Sequence, residues 1–387
     1  MFFDFRLYFK VLRLALRDTP KPKRLAIHLL LLLLIPLWAA FNAIFLLLDY
    51  VGTPLFRKTE IKQPVFIVGN ARSGTTFFHR LLCGDEERFT HFRMWELLFP
   101  SVIQKKIIRG AFGLFERLFP KAFQALVKWE AGLFPELSKQ HPIGINKPEE
   151  DELILLMSFS SAMINIFFPY TDQLTDLTRF EDRPIALRKK LLGFYRGCVR
   201  RQLYLYGGDR TLVSKNPAFV AKMRDLSIAF PDAKFIYLVR NPFETVPSLL
   251  KLISSMWEGL GIESAHAEKA LQEMIEGCVH DYYYALEVMD ELPPERYAIV
   301  QYTDLVSDPQ STVETVYEKL QLDLSPAFAE KLSTERKRQK RYHSENAYSL
   351  EQFGIDPQWL AKELGPFMDR FGFNPEDAPK DETKEIL

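Results

Sequence analysis

The residues best suited to chemistry lie in a short loop that follows an apolar run. The stretch PVFIVGNARSGTTFFHRLL, from Pro64 to Leu82, reads as a buried strand (Val65–Val68), a glycine-bounded loop and a helix beginning at Thr75. A helix in this position directs its first N–H groups, and the positive end of its dipole, into the loop. The loop therefore predicts an anion site, above all one for phosphate.

Polar side chains inside the loop and at the start of the helix favour the same interpretation. The hydroxyls of Ser73, Thr75 and Thr76 and the cation of Arg72 are all suited to bind phosphate oxygens. Gly74 precedes the helix, where a residue without a side chain lets a ligand approach the backbone. These five residues form the predicted anion-binding set.

A nucleotide triphosphatase is the first rival interpretation. Its loop requires G-x-x-x-x-G-K-[ST], in which the Lys reaches the terminal phosphates. Gly69 and Gly74 have this spacing, but Thr75 stands where the Lys is required, and the cation is Arg72 inside the loop. The sequence keeps the strand–loop–helix pattern of a P-loop and disfavours ATP hydrolysis.

A second group of candidate residues lies between Thr211 and Lys251. This stretch reads as strand, helix, strand, helix, with strands at Leu212–Ser214 and Phe235–Val239. Such alternation indicates a parallel sheet, in which ligands bind at the carboxyl ends of the strands. Lys215 and Arg240 each follow a strand, so both are expected at the edge that carries the loop.

These motifs resemble those of sulfotransferases that use 3′-phosphoadenosine 5′-phosphosulfate (PAPS). ARSGTT resembles the 5′-phosphosulfate loop of the PRSGTT branch, which includes tyrosylprotein sulfotransferases and many bacterial members, although Ala71 replaces the usual Pro. SKNP resembles the family's NKDP stretch, whose Lys assists transfer, and LVRNPFETVPS resembles its V-R-D-x-x-x-x-x-x-S element. The resemblance implies that Arg240 and Ser248 bind the 3′-phosphate and that Lys215 and Arg72 are catalytic.

The resemblance also implies a general base shortly beyond the loop. A Glu in that region is the base in the resembled branch, and Glu96 lies close to that position, though not in perfect register. Its neighbours Trp95 and Leu97 suggest an apolar setting that would raise its pKa. His91 is the substitute, since other sulfotransferases use histidine.

Four consecutive acids in the stretch KPEEDELILLMSF, residues 149–152, follow Pro148. Proline and acids are typical of the first turn of a helix, so we interpret these residues mainly as capping. A similar P-E-E-D-E stretch in the resembled bacterial members implies a share in acceptor binding.

Composition limits the range of partners. The chain has 50 Lys plus Arg and 50 Asp plus Glu, so no basic excess favours nucleic acid. Its three cysteines, Cys83, Cys198 and Cys278, form neither a zinc pattern nor a disulfide framework. No His, Cys or Asp cluster has the spacing of metal ligands, so we expect no metal.

The first 60 residues predict a membrane-associated segment. Residues 1–24 mix aromatic and basic residues as in an interfacial helix, and Leu25–Leu48 contains no charged side chain. A membrane span requires ~20 such residues. The segment is therefore either a single span or a monotopic attachment. The sequence leaves open on which side of the membrane the catalytic domain lies. It would be the cytoplasmic side in a bacterial protein and the Golgi lumen in a eukaryotic one.

The remaining chain predicts an α/β domain at 61–375 with a P-loop-like parallel sheet flanked by helices. Within it, 97–206 reads as a mainly helical insertion that could form a lid over the acceptor, and 376–387 as a charged tail. The basic run from Glu335 to Arg341 suits a solvated face, a lipid contact or a nucleotide contact.

The sequence thus predicts transfer of a sulfuryl group from PAPS to a hydroxyl acceptor. The apolar N-terminus and the abundance of phenylalanine, with 32 residues, favour a lipid, glycolipid or other membrane-presented alcohol, and leave glycans and peptide tyrosine open. Two alternatives stay open: a P-loop kinase, which would require magnesium, and a membrane-attached module that binds PAPS without catalysis.

Overall fold

A parallel five-stranded sheet forms the centre of the protein. The computed structural model describes residues 2–18, 22–131, 144–206, 209–262, 264–339 and 350–375. The strands are β1 (Val65–Val68), β2 (Phe89–Thr90), β3 (Thr211–Lys215), β4 (Lys234–Val239) and β5 (Tyr297–Gln301), in the order β2-β3-β1-β4-β5. Every pair is parallel, so the carboxyl ends of all five strands meet at one edge.

Sixteen α-helices accompany the sheet in the described part of the chain. They are α1 (Phe5–Arg17), α2 (Pro22–Gly52), α3 (Thr75–Cys83), α4 (Met94–Leu98), α5 (Val102–Leu118), α6 (Pro120–Ala131), α7 (Glu152–Met157), α8 (Ile164–Phe167), α9 (Ile185–Leu205), α10 (Met223–Ala229), α11 (Pro242–Leu260), α12 (Ser264–Asp290), α13 (Tyr302–Ser307), α14 (Pro309–Lys319), α15 (Pro326–Gln339) and α16 (Pro357–Phe371). Short 3₁₀ turns, including Pro54–Lys58 and Pro217–Lys222, link several of them.

The central strand explains why the sheet is covered on both faces. Phe66 and Val68 belong to one hydrophobic core, together with residues of α9, α12 and α16, whereas Val65 and Ile67 belong to a second core with residues of α3 and α14. All four side chains are buried, so an uninterrupted apolar run suits this strand better than an alternating one.

The observed elements largely match the sequence-based expectations. β1 and the start of α3 at Thr75 are as predicted, and β3 and β4 extend the predicted strands by one residue at one or both ends. The two-residue strand β2 is missed, and the helix expected near Pro217 begins as a 3₁₀ turn. The predicted tail at 376–387 lies outside the described residues, as do Lys340 and Arg341 at the end of the basic run.

Helix α2 is long and apolar enough to cross a membrane, yet one of its faces packs on the domain. Near its end, Asp49 accepts hydrogen bonds from the backbone N–H groups of Val102 and Ile103 at 3.1 Å each. Arg201 on α9 donates to the same carboxylate at 2.6 Å. Asp49 therefore joins α2 to the start of α5 and to the middle of the domain.

We predict that Asp49→Asn lowers the free energy of unfolding by about 3 kcal/mol, because it leaves a buried guanidinium without its counter-charge. Both side chains are nearly inaccessible, at 4% for Arg201 and 0% for Asp49. The measurement is the midpoint of urea unfolding followed by circular dichroism. Glu60→Gln is the control, because Glu60 and Lys62 form a pair that is about three-quarters exposed and should contribute little. Equal midpoints for both variants would contradict this role of Asp49.

Candidate active site

A cavity of about 930 Å³ lies at the carboxyl edge of the sheet. One part of its wall comes from the loop after β1 and from α3, and another from the acidic segment before α7. Its polar lining includes Asn70, Arg72, Thr75, Thr76, Arg80, Glu150, Glu152, Asn216, Arg240, Asp281, Tyr302 and Glu335. The volume lies in the range of sites for small molecules, roughly 300–1,000 Å³.

Two glycines permit the tight course of the loop after β1. Gly69 has φ 149°, and a β-carbon there would lie 2.5 Å from the carbonyl oxygen of Leu238. Gly74 has φ 90°, and a β-carbon there would lie 2.6 Å from the ring of Tyr302. Gly74 is also the residue before α3, where it provides no side chain to cap the first N–H groups of the helix. The loop therefore brings backbone donors close to the cavity wall.

Arg72 connects the loop to α11 and to Arg240. Its backbone is in the left-handed region, with φ 73°, a conformation that is uncommon for residues other than glycine. Its side-chain Nε donates a hydrogen bond to Ser248 Oγ on α11 at 3.0 Å. Its backbone carbonyl accepts a bond from Arg240 at 3.2 Å. The fold thus places three of the predicted phosphate-binding residues in direct contact.

Arg240 follows the end of β4 and is held on two sides. Its guanidinium pairs with Glu244, one turn into α11, at 2.6 Å. The same group lies over the ring of Tyr302, 4.2 Å from its centroid. Aromatic stacking and a carboxylate together fix the plane of the guanidinium, which suits bidentate binding of an anion.

Ser73 has a buried hydroxyl in the centre of the loop. Its side chain is fully inaccessible, and Oγ has no hydrogen-bond partner within the described part of the chain. A buried hydroxyl without a partner is costly, and a ligand that accepts its hydrogen bond would remove that cost. This position fits a phosphate group held by the loop.

Lys215 ends β3, opposite Ile67 of β1. Its ammonium group is buried and donates to Glu150 Oε1 at 2.5 Å. The next residue, Asn216, donates to Glu152 at 2.8 Å, and both glutamates line the cavity. The sheet edge therefore brings cations and carboxylates together in the cavity wall.

The acidic segment does not act as a helix cap, contrary to the sequence-based interpretation. Helix α7 begins only at Glu152, and Asp151 at its N-cap makes no side-chain capping bond. Asp151 instead accepts a hydrogen bond from Tyr195 at 2.5 Å, and burial raises its pKa to about 7. These acids pair with β3 and α9, which the sequence pattern could not indicate.

The structure places Glu96 away from the cavity. It is fully buried in the first turn of α4, where it accepts bonds from the backbone N–H of Arg93 at 2.9 Å and from Gln202 at 3.0 Å, and a further bond from Tyr206. His91 lies nearby, and burial lowers its pKa to about 4. Neither residue is among the described residues that line the cavity. The acids that line the cavity are instead Glu150 and Glu152, in the segment whose resemblance implies a share in acceptor binding.

Several cavity residues carry signals that sequence reasoning passed over. Arg80 lies one turn after Thr76 on α3, so a helical projection would have placed both on one face. Tyr302 follows β5 directly, so the rule that parallel strands share one carboxyl edge would have placed it there. Glu150 belongs to the segment interpreted as capping.

A large part of the cavity lining is apolar. It consists of Ala162, Met163, Ile166, Leu177, Leu249, Leu252, Ile253, Met256 and Met274. Four of these residues come from α11, and the others come from α12, the segment around α8 and the 3₁₀ turn Thr175–Leu177. One cavity therefore combines cationic, hydrogen-bonding groups with a flexible, methionine-containing apolar surface.

Comparison with known proteins agrees with this architecture. Residues 64–326 match the model of the Sulfotransferase family. The chain is 27% identical, over 326 residues, to omega-hydroxy-beta-dihydromenaquinone-9 sulfotransferase Stf3 from Mycobacterium bovis and to that from Mycobacterium tuberculosis. In each case the match covers 80% of this chain and 75% of the relative.

Two solved mycobacterial structures share the fold. Sulfotransferase STF1 from Mycobacterium tuberculosis H37Rv has a TM-score of 0.69 at 19% identity, covering 94% of this chain and 92% of that one. STF9 from Mycobacterium avium has a TM-score of 0.71 at 15% identity, with 97% and 98% covered. The family match covers the loop after β1, Lys215, Arg240 and Ser248. The chain therefore belongs to the sulfotransferase family and is an enzyme of bacterial type within it.

Proposed function

We propose that this sulfotransferase uses PAPS as its donor and sulfates the hydroxyl group of a lipid-like acceptor. The observation that carries the proposal is one cavity whose lining combines Arg72 and Arg240 with many apolar side chains, while Arg72 bonds to Ser248 and accepts a bond from Arg240. When bound, PAPS supplies the sulfuryl group, and adenosine 3′,5′-bisphosphate is the product that remains.

The residues around the loop fit the two phosphate groups of this donor. Ser73, with its buried hydroxyl, and the first turn of α3 at Gly74, Thr75 and Thr76 would hold the 5′-phosphate. Arg240 and Ser248 would hold the 3′-phosphate, since the guanidinium is already oriented by Glu244 and Tyr302. Arg72 lies between these groups and contacts both of the latter residues.

Lys215 and Arg72 provide positive charge for the transfer. Charge that develops on the leaving phosphate oxygen and on the sulfuryl oxygens is best stabilised by preorganised cations in a site with little water. Lys215 is buried, and its position at the end of β3 is fixed by the sheet. Its partner Glu150 lines the cavity, so the pair holds the ammonium group next to the cavity wall before substrates bind.

Glu150 is better placed than Glu96 to take the proton of the acceptor hydroxyl. It lines the cavity and contacts Lys215, whereas Glu96 is enclosed by Arg93, Gln202 and Tyr206. A general base must come within hydrogen-bond reach of the proton that it removes. The hydroxyl oxygen then bonds to sulfur while the sulfur–oxygen bond to the leaving phosphate breaks.

The apolar wall supports a hydrophobic acceptor. Met163, Leu249, Met256 and Met274 present flexible side chains that adapt to an isoprenoid or acyl chain. The relative from Mycobacterium is named for a hydroxylated menaquinone derivative, a long apolar molecule with a terminal hydroxyl. A hydroxylated isoprenoid quinone is therefore the first acceptor to test.

The donor is tested by calorimetric binding of adenosine 3′,5′-bisphosphate, with adenosine 5′-phosphate as the comparison ligand. We expect Arg240→Ala to weaken binding of the bisphosphate at least about tenfold and the monophosphate little, because a charge-assisted bidentate contact is lost. Arg224→Ala is the matched control, because this arginine pairs with Glu287 and Glu291 outside the cavity. Equal affinity of the unsubstituted chain for both nucleotides would refute PAPS as donor.

The base is tested by comparing Glu150→Gln with Glu96→Gln. We expect Glu150→Gln to lower turnover roughly a hundredfold, the usual scale of general-base catalysis, with bisphosphate affinity unchanged. Transfer of labelled sulfate to a hydroxylated isoprenoid quinone measures turnover. Glu96→Gln should lower the stability of the protein more than its turnover, because the carboxylate of Glu96 caps α4. The reverse pattern would return the role to Glu96.

The role of Lys215 in transfer is tested by comparing turnover with affinity for the bisphosphate product. Lys215→Ala should lower turnover about a hundredfold or more, because one preorganised charge donor is removed. Binding of the bisphosphate product should change much less, since it has no sulfuryl group. A loss of product affinity as large as the loss of turnover would make Lys215 a binding residue instead.

A further inference from the structure

One face of helix α2 is exposed and consists almost entirely of large apolar side chains. The residues that pack on the domain recur every three or four positions, namely Arg24, His28, Leu32, Ile35, Ala39, Asn42, Leu46 and Asp49. The opposite face exposes Leu29, Leu30, Leu33, Leu34, Leu37, Phe41, Ile44, Leu47 and Leu48. An apolar stripe of this length on a protein surface marks an interaction site.

Polar groups in the second half of α2 fix it to the domain. Trp38 and Asn42 donate hydrogen bonds to the carbonyl oxygen of Leu98 at 2.9 and 3.2 Å. Asp49 pairs with Arg201 of α9, which also donates to the carbonyl of Leu46 at 3.0 Å. Any orientation of α2 across a bilayer would therefore take these parts of the domain with it.

Exposed charges on helix α9 make that arrangement unfavourable. It carries Lys189, Lys190 and Arg196 as exposed side chains along the helix that Asp49 joins to α2. Charged side chains without partners are costly in the hydrocarbon region of a bilayer. The exposed stripe of α2 meets lipid without this cost when the helix lies along the membrane surface.

The hairpin of α5 and α6 adjoins the end of α2 and is also apolar on its exterior. Its first N–H groups bond to Asp49, and from Lys106 onward nearly all its described side chains are exposed. Its exposed large apolar residues are Ile107, Phe112, Leu114, Leu118, Phe119, Leu126 and Trp129. On α1, Phe5, Phe9 and Leu16 are exposed as well.

The charges around these helices have one dominant sign. The exposed charged side chains described on α1, α2 and the 3₁₀ turn Pro54–Lys58 are all cationic: Arg6, Lys10, Arg13, Arg17, Lys23, Arg57 and Lys58. On α5 and α6, Lys106, Arg109, Arg117, Lys121 and Lys128 are exposed, against a single described exposed acid, Glu116. Apolar side chains flanked by lysine and arginine are typical of helices that bind anionic lipid.

We propose that the exposed faces of α1, α2 and the α5–α6 hairpin form a docking surface for an anionic phospholipid bilayer, with α2 parallel to the membrane. The protein is then monotopic, with its N-terminus and its catalytic domain on the same side. The proposal does not depend on the donor or acceptor proposed above, because it rests on surface residues outside the cavity.

This position has a consequence for access to the cavity. The inner faces of α1 and α2 pack on the segment around α8, where Leu32 and Ile35 share a hydrophobic cluster with Ile164 and Leu177. Leu177 also lines the apolar side of the cavity. One layer of protein therefore separates the docking surface from the end of the cavity that suits an apolar acceptor.

Binding is tested by sedimentation of the full chain with phosphatidylcholine vesicles, with and without phosphatidylglycerol. Leu33→Glu combined with Leu37→Glu should weaken binding roughly tenfold or more, because two side chains that are each 57% exposed would enter lipid as charges. Ile228→Glu is the control, because Ile228 is 67% exposed on α10, outside the docking surface. We expect binding to require phosphatidylglycerol and to fall with added salt.

Two results of this experiment would overturn the proposal. One is vesicle binding that is absent, or that is equal for the double variant and the control. The other is a lipid-free dimer that the double variant separates, because the stripe would then be covered by a second copy of the chain. Near-ultraviolet circular dichroism and thermal melting establish that each variant is folded.

The orientation of α2 is tested by depth-dependent quenching. A fluorophore is attached to a cysteine replacing Leu30, Leu37 or Leu47, all exposed, and the labelled unsubstituted chain provides the background from native cysteines. Lipids with nitroxides at two depths should report the same shallow depth at all three positions. A deep signal at Leu37 with shallow signals at both ends would instead establish a membrane span.

Discussion

The close approach of the loop after β1 to β4 and α13 is the constraint on which the site depends. At Gly69 the backbone passes so near the carbonyl of Leu238 that no β-carbon fits, and at Gly74 the ring of Tyr302 takes that space. The same Tyr302 lies under the guanidinium of Arg240, which bonds to the carbonyl of Arg72. The tight packing of the loop therefore also aligns the anion-binding groups, because Tyr302 takes part in both.

A second constraint is the burial of charge at the edge of the sheet. Lys215 and Lys222 are both nearly inaccessible, and each is close to a carboxylate of the acidic segment, Glu150 and Glu152 respectively. Burial lowers the pKa of Lys222. Such pairs contribute little net stability, but removing one partner is costly. The acidic segment is thus held against β3 by interactions that also place a carboxylate in the cavity wall.

The N-terminal helices α1 and α2 pack on the domain away from the sheet. Their inner faces combine apolar packing near α8 with a buried ion pair at Asp49 and Arg201, so they form part of the folded domain. Their outer faces expose leucine and phenylalanine to the surroundings. Helix α2 has the composition of a membrane span, but its inner face is hydrogen-bonded to the domain. Its outer face is apolar and exposed, which also distinguishes it from the core helix of a soluble protein.

The sequence by itself determined the parallel sheet, the loop, the start of α3 and the placement of Arg72, Lys215 and Arg240 at one edge. These features depend on local patterns: an apolar run, the glycine spacing, and the rule that parallel strands share one carboxyl edge. Only the tertiary structure decided which acid reaches the cavity and how α2 lies. Glu96 and Glu150 have the same side chain, and their environments differ because Gln202 and Tyr206 enclose the first while Lys215 pairs with the second at the sheet edge. Those partners are 65 to 110 residues distant along the chain, and no local pattern encodes such contacts.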